Sequence, residues 1–81
     1  MEAKTIVETK TWKSEEKKFQ ERDRYGTLAI RQWLENTLDK WSDGHLRLTV
    51  RVYQNYQLVR SHSYGHDDAI RLCAQAGVDL L

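Results

Sequence analysis

Apolar and polar residues alternate without exception over residues 46–53, with Leu46, Leu48, Val50 and Val52 on one side and Arg47, Thr49, Arg51 and Tyr53 on the other. A period of two sends successive side chains to opposite faces, so this segment is a strand with one buried and one wet face. Such a strand is marginal by itself and needs further strands and a cover for its apolar side. Gln54-Asn55-Tyr56-Gln57 breaks the alternation, Asn55 tolerates positive φ, and residues 58–64 read as the returning strand of a hairpin. With Asn55-Tyr56 as the turn, Val52 faces Val59 and Val50 faces Ser61 on the inner side, while Arg51 lies directly across from Arg60 outside. A one-residue slip would set Val50 against Arg60 and bury an arginine.

Around this hairpin the patterning predicts two helices. At 100° per residue Ile30, Trp33, Leu34, Thr37, Leu38 and Trp41 fall within about a 140° arc, so residues 27–41 read as an amphipathic helix, closed by the stop signal Ser42-Asp43-Gly44. Gly65-His66-Asp67-Asp68 opens the last helix, its two acids complementing the helix dipole and capping free amides. Ala69, Leu72, Cys73 and Ala76 form the apolar stripe, and Gly77 suits a Schellman cap with Val78 against Cys73. Residues 5–12 are rich in β-branched side chains and read as a further strand. Residues 13–26 are dense in charge, and the pattern leaves 14–24 open between extra helical turns and a polar strand against 5–12. The expectation is one α+β domain over residues 1–81, a small two-layer fold in β-α-β-β-α order, with helices covering one face of an antiparallel or mixed sheet.

Size and composition narrow the function. A chain of 81 residues buries only about 60 to 65% of its unfolded surface, so a large cleft is not expected. Its 40% hydrophobic content supports folding, and a net charge of +1 provides no overall field to gather nucleic acid or anionic membrane. One cysteine makes no internal disulfide, no apolar run approaches the roughly 18 residues of a membrane span, and the charged N-terminus is unlike a signal peptide, which together predict a cytoplasmic protein.

The most distinctive expected surface is the outer face of the 46–64 hairpin, with Arg47, Thr49, Arg51, Tyr53, Leu58, Arg60, His62 and Tyr64 and no acid. Like charges opposite one another destabilise a sheet unless an anion sits between them, so Arg51 and Arg60 point to bound carboxylate or phosphate, with Tyr53 and Tyr64 as flat stacking surfaces. The competing reading is a solvated face whose arginines pair with glutamates of residues 13–24. Trp12, beside the charged run, is a candidate anchor for a partner, whereas Trp33 and Trp41 belong to the expected core. His45, His62, His66 and Cys73 do not carry metal-site spacing, and Cys73 on an apolar stripe reads as an inert buried thiol. No phosphate loop, catalytic triad or paired-carboxylate set is present, so neither a cofactor nor an enzymatic activity is expected.

These features favour a non-enzymatic protein-binding regulator, inhibitor or accessory protein, of a size suited to a virus or mobile element, docking on a partner with an acidic surface through Arg47, Arg51, Tyr53, Arg60, His62, Tyr64 and Trp12. A nucleic-acid-binding module using the same hairpin face is the alternative. Residues 1–44 balance nine basic against nine acidic groups, which favours the protein partner. Leu80 and Leu81 either close the core or form a homodimer contact, and no membrane association is expected.

Overall fold

The computed structural model describes residues 3–81, the Asp23 side chain aside. Its elements are β1 (Ile6–Lys13), β2 (Lys17–Asp23), β3 (Gly26–Trp41), β4 (Leu46–Gln54), β5 (Gln57–Tyr64) and α1 (His66–Ala76). The expected β-α-β-β-α domain is therefore corrected to an antiparallel sheet with a single C-terminal helix among the described residues. The segment expected to be a helix, residues 27–41, lies in the 16-residue strand β3.

The reason lies in a spacing of four. Ile30, Leu34 and Leu38 recur every fourth residue, as do Trp33, Thr37 and Trp41. On a helix these two rows adjoin in one stripe, but four is also an even number, so on a strand each row keeps to its own face. Partners along both edges decide the matter: β3 pairs with β1 and β2 on one side and with β4 on the other. Tertiary hydrogen bonding of this kind overrides local periodicity.

β1 and β2 follow one another along the same edge of β3. Lys13 pairs with Glu35, but Lys17 pairs with Gln32, so one residue is inserted between the two registers. Ser14 anchors the jog, its amide donating to the Leu34 carbonyl (2.8 Å) and its Oγ accepting from the Leu34 amide (2.7 Å). The charged residues 17–23 thus form a strand against β3, and neither alternative left open for that stretch is the one adopted.

Residues directly opposite in these registers share a face. The helix face carries Leu34, Asn36 and Leu38 of β3, Leu46, Leu48, Val50 and Val52 of β4, and Trp12 of β1. α1 lies over one end of it, burying Ala69 and Cys73 against Leu38, Leu46 and Leu48, with Trp12, Tyr64, Ile70, Leu72, Val78 and Leu81 packed around them. The helix ends as expected: Gly77 takes φ 69°, and the Val78 amide donates to the Cys73 carbonyl (2.9 Å). At its start Asp67 and Asp68 lie in the first turn as expected, but neither caps an amide: Gly65 is the N-cap with no side-chain cap, and Asp68 pairs with Arg71 at 3.0 Å. No helix among the described residues is long and apolar enough to cross a membrane.

The molecule is elongated, 58 × 28 × 16 Å, with a radius of gyration of 16.3 Å, against about 12 Å for a compact chain of this length. β4 reaches only as far as Gln32 of β3, so residues 26–31 have β2 as their strand neighbour and form with it a projecting two-stranded arm. Leu38 is 0% exposed at the centre of the small core. Leu38→Ala should therefore cost about 2 to 5 kcal/mol; a urea midpoint equal to that of the wild type would show that this cluster does not hold the fold together.

Candidate functional site

The site residues are distributed by a single extra residue in β5. At the hairpin tip Gln54 pairs with Gln57 and Tyr53 with Leu58, around a turn whose central residues Asn55 (φ 50°) and Tyr56 (φ 68°) are both left-handed. The turn is held from β3: the Asn55 amide donates to the Arg31 carbonyl (2.9 Å), the Arg31 amide donates to Asn55 Oδ1 (3.0 Å), and the Tyr56 ring sets its edge on Trp33 at 5.2 Å. Beyond Leu58 the register shifts, so that Val52 pairs with Arg60, Val50 with His62 and Leu48 with Tyr64. Val59 is the bulged residue, and a bulge reverses the parity of everything that follows.

The expected Arg51–Arg60 juxtaposition is therefore corrected. Arg51 lies opposite Ser61, and Arg60, His62 and Tyr64 lie on the helix face. The burial cost that argued against an arginine on that side does not arise, because α1 covers only the other end of the face and Arg60 remains exposed on the edge strand.

Arg47, Arg51 and Tyr53 do share the opposite, open face. There Arg47 sits across from Asp39 and Arg51 across from Glu35, so acids of β3 flank both arginines. Arg51 Nη1 donates to Thr37 Oγ1 (3.2 Å), and the Arg47 guanidinium lies 5.3 Å from the Trp41 ring centre. Tyr53 stacks on Trp33 with centroids 5.6 Å apart, and Lys13 Nζ lies 4.5 Å from the Trp33 ring centre. Trp33 is thus only 5% exposed, but in an aromatic cluster on the face away from the helix. Trp12, the expected partner anchor, is half-buried against the core, its carbonyl accepting from Asn36 Nδ2 (3.4 Å).

Arg60, His62 and Tyr64 combine instead with Leu34, Val50 and Val52 to line a groove of about 410 Å³ beside the helix. Its floor is aliphatic, and Arg60 supplies a cation at its rim. The His62 and Tyr64 rings meet edge to face at 4.4 Å, while the Arg60 side chain makes no hydrogen bond or ion pair among the described residues.

A second hollow, about 260 Å³, lies at the start of α1. Asp43 Oδ2 is 2.8 Å from both Lys4 Nζ and His45 Nδ1, and its other oxygen accepts from the His45 amide at 3.0 Å. Lys4 first, then His45, hold the Asp43 carboxyl well below the usual carboxylate range. His66 Nδ1 accepts from the Leu46 amide (3.0 Å), fastening the helix to β4, and its ring meets that of His45 at 5.2 Å. These groups are occupied by structural contacts. Among the described residues no three His, Cys, Asp or Glu side chains gather to hold a metal ion. Cys73 is 1% exposed, and burial pushes its thiol up, opposed only by the charge of Lys10.

Sequence reading passed over two sets of residues that the fold brings together. Leu34 joins Val50 and Val52 only once β3 is a strand. Lys18, Arg22 and Arg31 share one face of the arm, and the available signal was Arg24-Tyr25-Gly26, a turn with Gly26 at φ 133° between two segments of matching length. These elements define an antiparallel-sheet protein with, among the described residues, one helix and two unlike uncovered surfaces. No protein-family model, curated protein or solved structure matches the chain.

Two outcomes follow from these environments. Cys73 should react with a thiol reagent far more slowly in the native state than in denaturant, and rapid native labelling would contradict its place in the core. Because the folded-state pKa of Asp43 is lowered, its stabilising contribution is complete above about pH 4 and is lost as pH falls below that value. Asp43→Asn should accordingly show a shallower acid-induced loss of stability than the wild type in melts run from neutral to low pH.

Proposed function

We propose that the chain is a non-enzymatic docking protein, a regulator, inhibitor or accessory subunit acting in the cytoplasm, and that it binds a partner protein through the groove beside α1. The observation that carries this reading is the uncovered half of the helix face. Val50 borders the core, Leu34 and Val52 carry the apolar side of the sheet past the end of the helix, and beyond the polar row of Lys17, Gln32 and Gln54 the side chains of Phe19 and Leu28 remain 39% and 55% exposed. An apolar floor with a polar rim, as Leu34, Val50 and Val52 form with Arg60, His62 and Tyr64, is the ordinary form of a protein interaction site.

The rim specifies the partner's chemistry. Residues 46–64 contain no Asp or Glu, so Arg60 and His62 have no acid on their own hairpin. A partner that inserts apolar side chains over Leu34 and Val52 and sets carboxylates against Arg60 would complete both requirements, with the planar guanidinium able to take a carboxylate in bidentate fashion. Nucleic-acid binding by the outer face of the same hairpin has less support, because Arg47 and Arg51 face Asp39 and Glu35 there.

Affinity purification with crosslinking, treated with nuclease, tests the reading through variants. Arg60→Glu combined with His62→Glu should leave the melting temperature nearly unchanged, since both side chains are exposed. The same variant should weaken the partner by roughly 2 to 5 kcal/mol, mostly through faster dissociation. Partner recovery equal to the wild type would remove the groove from consideration.

A further inference from the structure

On β2 and β3 the like-charge juxtaposition is real: Lys18 lies directly opposite Arg31. The same face of the arm carries Gln20 opposite Ala29 and Arg22 opposite Thr27, and it contains no acid. Lys18, Arg22 and Arg31 are all exposed, and none of their side chains makes a hydrogen bond or ion pair among the described residues. Arg22 lies four residues along the strand from Lys18, about 13 Å. Arg24 extends the series to the tip, its guanidinium 6.0 Å from the Tyr25 ring centre. Opposed like charges weaken a strand pair, and the cost disappears when an anion sits between them.

The charge balance of the whole chain hides this surface. Residues 17–31 hold five basic groups (Lys17, Lys18, Arg22, Arg24, Arg31) against Glu21 and Asp23, whereas residues 66–81 hold one, Arg71, against Asp67, Asp68 and Asp79. A net charge of +1 therefore conceals a molecule with a basic arm and an acidic helical end.

The two faces of the arm differ in chemistry. Phe19, Leu28 and Ile30 are on the helix face, leaving the basic face with only Gln20, Thr27 and Ala29 between its cations. That face has no apolar anchor of the sort a protein hot spot requires, but contacts to a phosphate backbone need only cations with reach. The arm is also two strands wide, a cross-section that the major groove of B-form DNA, about 12 Å wide, admits and that the narrow major groove of A-form RNA does not.

We propose that the basic face of the β2–β3 arm, with Lys18, Arg22 and Arg31 along it and Arg24 at its tip, binds the phosphate backbone of double-stranded DNA. This goes beyond the docking reading and uses the opposite face of the sheet, so either can fail without the other. Binding is independent of base sequence and set by charge.

The test is fluorescence anisotropy of the full chain with a labelled DNA duplex of about 20 base pairs, titrated across salt concentrations. Four phosphate contacts predict a slope of about −3 to −4 for log affinity against log salt, shallower by about 0.9 for each of the four cations replaced by alanine. Lys18→Glu with Arg31→Glu should weaken binding roughly a hundredfold at low salt. Lys18→Glu alone should weaken binding and raise the melting temperature slightly, because it places opposite charges across the strands, and a melting transition of the double variant near that of the wild type shows that it too is folded. Arg60→Glu should leave duplex binding within twofold of the wild type, which separates this surface from the groove. The proposal is overturned if the wild type fails to bind the duplex at low salt or if the Lys18→Glu/Arg31→Glu variant binds as well. Tighter binding to poly-glutamate or to duplex RNA than to duplex DNA would also overturn it and assign the arm to an acidic protein or to RNA.

Discussion

Leu38 and Leu48 face each other across β3 and β4, and α1 closes over them with Ala69 and Cys73. This contact is the dry centre on which the rest depends. It joins the longest strand to the hairpin that follows and to the C-terminal helix, and because packed interiors tolerate little displacement it fixes which way β3 faces. The direction propagates along the strand. With Leu38 inward, Leu34 and Ile30 lie on the same side further out, and Trp33, Glu35 and Arg31 must point the other way.

The helix is shorter than the strand it covers. α1 has 11 residues and β3 has 16, and at about 1.5 Å per helical residue against about 3.4 Å per strand residue the helix spans roughly a third of the strand's length. Apolar side chains beyond its reach remain open in the groove beside Tyr64 and at Phe19 and Leu28 on the arm. The other side of the sheet has a different solution near its middle, where Trp33, Tyr53 and Tyr56 cover one another and Lys13 lies over the indole. This aromatic cluster and the Asn55 clasp on Arg31 hold the hairpin tip to β3 just where the arm departs.

Two inserted residues set the distribution of charge. The jog after Lys13 lets β2 restart on β3 with Lys18 opposite Arg31. The bulge at Val59 carries Arg60 and His62 away from Arg51 and onto the rim of the groove. Each insertion moves side chains by one position, which on a pleated strand means transfer to the opposite face. A cationic rim beside an apolar floor and a cationic ribbon on the other side arise in this way from a chain that is nearly neutral.

The local features were legible before any tertiary contact was considered. Alternation defined β4, β-branched content indicated β1, Asn55-Tyr56 marked the turn, and Gly77 ended α1, because each depends on neighbouring backbone and side-chain geometry alone. Residues 27–41 were read as a helix and are a strand, because a four-residue repeat satisfies a helical stripe and a strand face equally, and only the hydrogen-bonding edges of β1, β2 and β4 could choose between them. The candidate surfaces were less legible still. Residue types such as Arg51, Arg60 and Lys18 were visible, but their neighbours across the sheet depended on two insertions whose positions emerge only when the strands pair. Sequence by itself determined the β4 alternation, the hairpin turn and the last helix; tertiary structure decided that residues 27–41 are a strand and which face each side chain takes, because a one-residue shift costs little along the chain and reverses every side chain beyond it.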